Sequence, residues 1–372
     1  MTMTTLQLLG KAQDDDLAIL AEAARSRDPT TGYGHLRNLH CALEADRACA
    51  VAPELLRIIG SDPEPLVRWQ PEWRCQSSVA MGLQWCGDEA VSDAFLDALE
   101  TVAELRPRFA TTIAAQRRRN VFRREMRQRG LAGVPVVSLG LNCMAFELPQ
   151  RFGFGIGAGG RTILTPFAFG VHKRQVLLDV LQQGWASYAP LPVLALHRST
   201  NGETMVIRRD GGAVWNHHRG AHMGDDEFRL FRESIGRMSD QFDAMLERRD
   251  LDKVIFLLVV NSVAELGDDV GYPHQLLAAL DRRSPSLASR LLVIATPRRS
   301  DPVHGAALRR QRLAERITLL ELPIPREDYV WWEFSHHNRP DGLGFEFDLA
   351  QAMAEEIAHW SVGQRVLQEV SA

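Results

Sequence analysis

The residues with the most chemistry in their spacing lie at Val137-Ser138-Leu139-Gly140-Leu141-Asn142-Cys143. An apolar run ends, a glycine permits a tight turn, and a cysteine opens what reads as a helix. Unpaired backbone N–H groups and the positive end of a helix stabilise a thiolate over a thiol. The same N–H groups, with the Asn142 amide, are placed to hold a developing oxyanion. Cys143 is therefore the candidate nucleophile, and the competing expectation is a small apolar residue packing helix on sheet.

A nucleophilic cysteine needs a base. Trp215-Asn216-His217-His218-Arg219-Gly220-Ala221-His222 follows a short strand pattern and supplies two candidates, His217 and His218, with His197 as a third. Asn261, closing the apolar run Val254 to Val260, is the candidate that orients the imidazole; Asp225 and Asp226 are the alternatives nearer in sequence. His218 and His222 also stand four apart beside Asp225 and Asp226. Gly220 and Gly224 mark that stretch as loop, so no metal site is assigned. Phe152 to Gly160 contains a formal G-x-G-x-x-G, but no strand runs directly into it, so no cofactor is assigned either.

Those residues need elements to carry them. Residues 1–130 read as an all-helical domain. Asp16 is expected to cap a helix whose apolar face is Leu17, Leu20, Ala21 and Ala24. A second helix starts near Asp88 and presents Val91, Phe95, Ala98, Val102 and Leu105. Residues 106–129 hold nine arginines, which suit either an anion-binding or RNA-binding arm or a solvated helix linking two domains. Residues 131–372 read as an α/β domain. Its expected strands are 134–139, 193–197, 205–208, 213–215, 254–260, 291–295 and 317–322. Helices are expected near 143, over 228–245 with Phe228, Phe231, Ile235, Met238, Phe242 and Met245 on one face, and near 275–280, 306–313 and 349–360. Strand and helix alternating at this spacing predict a mainly parallel sheet flanked by helices. Trp331-Trp332-Glu333-Phe334-Ser335-His336-His337-Asn338 suits a substrate wall, an interface or a cap over a sheet edge.

Ser138-Leu139-Gly140-Leu141-Asn142-Cys143 followed by Thr165-Pro166-Phe167-Ala168-Phe169 resembles a bacterial family described as papain-like cysteine peptidases of uncharacterised function. The resemblance covers about residues 134–297. It implies a thiol-dependent hydrolase or acyl-transfer enzyme acting on an amide or thioester. The family's P-F-D-W segment has an aspartate where this chain has Ala168 and a tryptophan where it has Phe169. That loss favours a rival, a non-catalytic binding protein for a glycan or nucleotide-like ligand. The sheet order alone suggests a nucleotide-sugar transferase.

Composition sets bounds on all three. The 372 residues carry 43 basic and 47 acidic side chains, a net charge of −4, which argues against a chain that coats nucleic acid or an anionic membrane. Leu6 to Leu9 is too short for an export signal, and no apolar run is long enough to span a bilayer. Five cysteines without a C-x-x-C pair suit free thiols in a reducing cytoplasm. The expected partners are a small-molecule, peptide or glycan substrate and, through residues 1–130, a protein.

Overall fold

A computed structural model describes residues 14–41, 44–154, 156–157, 161–162, 165–200, 202–248, 253–267, 271–300 and 307–370. Leu6 to Leu9 and Gly155, Gly159 and Gly160 of the glycine-rich segment lie outside them. The chain divides into two compact units, one of Met1–Ala132, Gln150–Thr162 and Val330–Leu343, the other of Gly133–Pro149, Ile163–Tyr329 and Gly344–Ala372. A single boundary near residue 130 does not reproduce this division, because two later segments belong with the helices.

The first unit is built on α1 (Asp14–Ser26), α2 (Pro29–Cys41), α3 (Ala45–Ser61), α4 (Pro65–Arg68), α5 (Glu72–Trp85), α6 (Glu89–Thr101) and α7 (Leu105–Gln128). The Asp88 carboxylate accepts from Ala90 N and Val91 N and so caps α6, and Phe95, Leu96 and Leu99 are buried from it. The expected apolar face of α1 is corrected. Leu17, Ala21 and Ala24 are exposed, whereas Asp16, Leu20 and Ala23 are buried. A buried carboxylate needs partners, and Asp16 has His35 Nε2 at 2.7 Å and Arg47 Nη2 at 2.7 Å.

The second unit contains the mainly parallel sheet. β1 (Val136–Gly140) leads into α8 (Met144–Phe152), whose last residues already belong to the helical unit. β2 (Ile156–Gly157) and β3 (Arg161–Thr162), which belong to the first unit, form a short antiparallel pair. A four-stranded antiparallel sheet follows, made from β4 (Val171–His172), β5 (Leu194–Arg198), β6 (Thr204–Arg208) and β7 (Ala213–Arg219) in the order β4-β7-β6-β5; α9 (Arg174–Gln183) lies between β4 and β5 in sequence. Then come α10 (Asp225–Leu246), β8 (Lys253–Val260), α11 (Gly271–Arg283), β9 (Ala288–Ala295), β10 (Arg309–Ala314), β11 (Ile317–Glu321), α12 (Phe334–His337), which belongs to the first unit, and α13 (Pro340–Val370), whose first residues do too.

The five-stranded sheet runs β1-β8-β9-β11-β10, parallel except for β10. Val254 to Val260 of β8 are all buried, as an inner strand covered on both faces requires. The helix expected over 306–313 is corrected. Arg309–Ala314 pairs antiparallel with β11, because only two residues separate the strands and such a link closes a hairpin. Arg309, Arg310, Gln311 and Arg312 are exposed on this edge, where charge discourages pairing with another chain. No helix among the described residues is long and apolar enough to cross a membrane.

Candidate functional site

The backbone after β1 forms a strand–turn–helix elbow. Gly140 has φ +79°, and a Cβ there would stand 2.8 Å from the Phe167 carbonyl oxygen, so glycine is required. Leu141 follows at φ +48°, a left-handed conformation unusual for a leucine. The Asn142 side-chain oxygen accepts from Met144 N at 3.0 Å, and Phe146 N and Glu147 N donate to the Cys143 carbonyl. The Asn142 oxygen is thus engaged by the backbone in a turn ahead of α8, and Cys143 stands immediately before the helix rather than in its first turn, its carbonyl accepting the first helical bonds.

The surroundings of the sulfur differ from a nucleophile's. Cys143 is 2% exposed. Its Sγ donates toward Asn216 Oδ1 at 3.7 Å and Gly170 O at 3.9 Å. Burial pushes the thiol up to about 12, and the Glu147 carboxylate one turn along adds to this; the Asn216 contact and Arg219 act the other way and are outweighed.

The expected catalytic partners do not assemble on that sulfur. The register of β7 against β6 jumps from Trp215↔Val206 to Arg219↔Met205, so Asn216, His217 and His218 form a bulge. Bulges re-aim side chains, and this one delivers Asn216, not an imidazole, to the sulfur. His217 is half-buried in the bulge. His218 is buried, with Nε2 3.1 Å from Ser234 Oγ and its ring edge-on to Phe231, and burial pushes it down to about 4. It is a neutral core histidine. Asn261 is exposed and donates to Glu265 Oε1 at 3.0 Å; it forms the turn after β8 and orients no ring. His197, His222, Asp225 and Asp226 are exposed. Among the described residues no group of three or more His, Cys, Asp or Glu is placed to hold a metal ion.

A histidine that sequence reasoning passed over lies at the elbow instead. His172 donates its backbone N–H to Leu141 O at 3.1 Å, and its ring fills the space beside Gly170. Its Nε2 is 2.6 Å from Tyr188 Oη, which also lies 2.7 Å from Pro166 O and 2.9 Å from Trp215 Nε1. A carbonyl only accepts, so the hydroxyl proton points to Pro166. The Tyr188 oxygen then accepts from Trp215 and from His172, which fixes the neutral ring with its proton on Nε2. His172 Nδ1 is left buried without a partner, and burial pushes the ring down to about 3. Nothing in the sequence pairs Val171-His172 with Tyr188 or Trp215, and only the neighbouring Pro166-Phe167 segment hints at a core position. Ala168 is fully buried beside Phe167.

The arginine-rich stretch is α7, and its side chains bind the helical unit to itself. Arg123 is buried and donates to the carbonyls of Cys86, Gln150 and Arg151. Arg119 donates to Asn338 Oδ1 at 2.7 Å and His337 O at 3.0 Å. Arg117 pairs with Asp97 and Glu100, and Arg124 with Asp93. The Trp331–Asn338 segment is therefore held within the helical unit by Arg119 and by Arg151, which donates to Trp331 O at 3.1 Å. Cys75 and Cys86 are buried free thiols, and Cys49 is buried and outside any disulfide. No known family model, curated protein or solved structure matches this chain.

Proposed function

We propose that the protein works by binding, and that its α/β unit is a non-catalytic relative in design of a thiol hydrolase, with Cys143 as a packing thiol. One observation carries this reading: the group facing the buried sulfur is the Asn216 amide. An amide cannot take the proton that a nucleophilic thiol must lose. The proposed ligand is a glycan or a nucleotide-like molecule, and the free thiols suit a reducing cytoplasm.

A second reading keeps the hydrolase or acyl-transfer activity. The glycine turn, the left-handed Leu141 and the helix N-terminus at Cys143 favour it. In that chemistry, after a rearrangement that exchanges Asn216 for the imidazole, Cys143 attacks an amide or thioester carbonyl, His217 takes the thiol proton and gives it to the departing amine or thiol as the C–N or C–S bond breaks, and water or an acceptor then releases the acyl group from Cys143.

Iodoacetamide labelling of the native protein at mildly acidic pH, mapped by mass spectrometry, separates the two. Binding predicts Cys143 labelled no faster than glutathione. Selective, faster labelling of Cys143 would establish the activated thiol and end the binding reading. Asn216→His sets an imidazole against the sulfur and is expected to raise the Cys143 rate roughly tenfold. An unchanged rate in that variant would show that enclosure rather than the facing group keeps the thiol inert.

A further inference from the structure

In the helical unit a groove runs between the α1–α2 turn and the segment from the end of α3 through α4. It encloses about 660 Å³, within the range of small-molecule sites, and is lined by Arg27, Thr30, Asp62, Glu64, Arg68 and Trp69 among others. A second hollow of about 310 Å³ shares Arg27, Asp62 and Pro65 and extends along Ala24 and Ile58, so the groove passes from polar to apolar.

Three features distinguish it from an ordinary surface cleft. Arg27 holds φ +53° at its lip, a conformation costly for a side chain with a Cβ, and its Nε reaches Asp62 at 3.4 Å across the opening. Asp28 is turned into its own helix start, accepting from Thr30 N and Thr30 Oγ1. Glu64 and Arg68 are exposed, and no ion pair among the described residues engages either side chain.

The charge pattern selects the ligand. An anion drawn to Arg68 would meet Glu64 and Asp62. A cation drawn to Glu64 would meet Arg68 and Arg27. A neutral ligand whose groups both donate and accept satisfies both, and the hydroxyl is such a group. Planar carboxylate and guanidinium groups pair with two neighbouring hydroxyls at once. Pro65 supplies apolar surface for the C–H face of a ring, and the buried Trp69, packed against Tyr33, and Pro29 form the floor behind it.

We infer that this groove is a saccharide-binding site, with Glu64 accepting from and Arg68 donating to ring hydroxyls. The inference rests on the binding reading above, yet its failure is separate, since thiol labelling reads Cys143 and saccharide binding reads the helical unit.

The test uses the full-length protein. Saturation-transfer NMR and calorimetry are run with glucose, galactose, mannose, N-acetylglucosamine and their disaccharides, with inorganic phosphate and N-acetylglycinamide as the charged and peptide-like comparisons. The expected result is binding of at least one saccharide, weakened roughly tenfold or more by Glu64→Gln and by Arg68→Met with melting unchanged. No saccharide signal at about 10 mM, a signal that both variants leave intact, or binding of phosphate or the peptide alone would overturn it.

Discussion

The elbow at Cys143 and the groove at Arg27 contrast in what their polar atoms face. Around the sulfur, Asn142 accepts from the backbone, Tyr188 joins Trp215, His172 and Pro166, and Asn216 meets the thiol. In the groove, Glu64 and Arg68 face water. The elbow has the backbone of a reactive site without the access. A helix N-terminus favours a nearby negative charge by ~0.3–1 kcal/mol. Raising a thiol from 9.0 to about 12 disfavours the thiolate by ~4 kcal/mol. Burial wins by several-fold, so position on a helix end does not by itself make a cysteine reactive.

The sharpest way to break this contrast is to remove one hub. Tyr188→Phe deletes a single oxygen but leaves Pro166 O, Trp215 Nε1 and His172 Nε2 unpaired in the core. Each buried orphan costs ~1–3 kcal/mol, so the variant should lose about 3 kcal/mol or more in urea unfolding. Arg68→Met should stay within ~0.5 kcal/mol of the parent. Comparable losses from the two would mean that the elbow is no more tightly integrated than the groove.

Acid should separate the regions next. His172 titrates at about 3 and His218 at about 4 in the folded state, both below the ordinary 6.5 because of burial. The unfolded chain therefore binds more protons below pH 6.5. The stability present above that pH is lost as pH falls, at ~1.4 kcal/mol per pH unit for each histidine, until His218 and then His172 take up a proton in the fold. The α/β unit has these two buried rings; in the helical unit the buried His337 is likewise lowered. Hydrogen exchange followed segment by segment from pH 7 to 5 should show protection in the α/β unit falling with about twice the slope. Equal slopes, or no change in His218→Asn, would count against buried neutral rings as the cause.

The same contrast explains what the sequence disclosed. Elements with strong periodicity were legible: Val254 to Val260 as an inner strand, the expected helix face from Phe231 to Met245, and the parallel sheet they serve; Phe228, expected on that face, is half-buried in a left-handed break at φ +61°. The turn at Gly140 and the place of Cys143 were legible to within a residue, because a glycine after an apolar strand is a local signal; Asn142 reads as an oxyanion donor, whereas its oxygen accepts from Met144 N. Partners were not. Asn216 reaches the sulfur through a bulge in β7, and a bulge has no fixed spacing signature. His172 joins Tyr188 and Trp215 across intervals of 16 and 43 residues that only the fold closes. The arginines of α7 looked like one charged face, yet Arg119 and Arg123 point inward to carbonyl and amide oxygens, which composition cannot reveal. The edge strand at Arg309 misled because its side chains suit a helix, while the short link to β11 dictates a hairpin.

The smallest expected effect tests whether the groove holds strain for a purpose. Arg27 is left-handed, and its side chain is 77% exposed, so its ion pair with Asp62 contributes little. Left-handed backbone costs a residue with a Cβ ~1–2 kcal/mol, and glycine avoids that cost while adding some unfolded-state entropy. Arg27→Gly should therefore raise stability by about 0.5–1 kcal/mol in urea unfolding. The same change removes one of the two cations that frame the saccharide, so affinity should fall as stability rises. A variant that gains stability and keeps its affinity would assign Arg27 to the turn alone and leave Glu64 and Arg68 as the recognising pair.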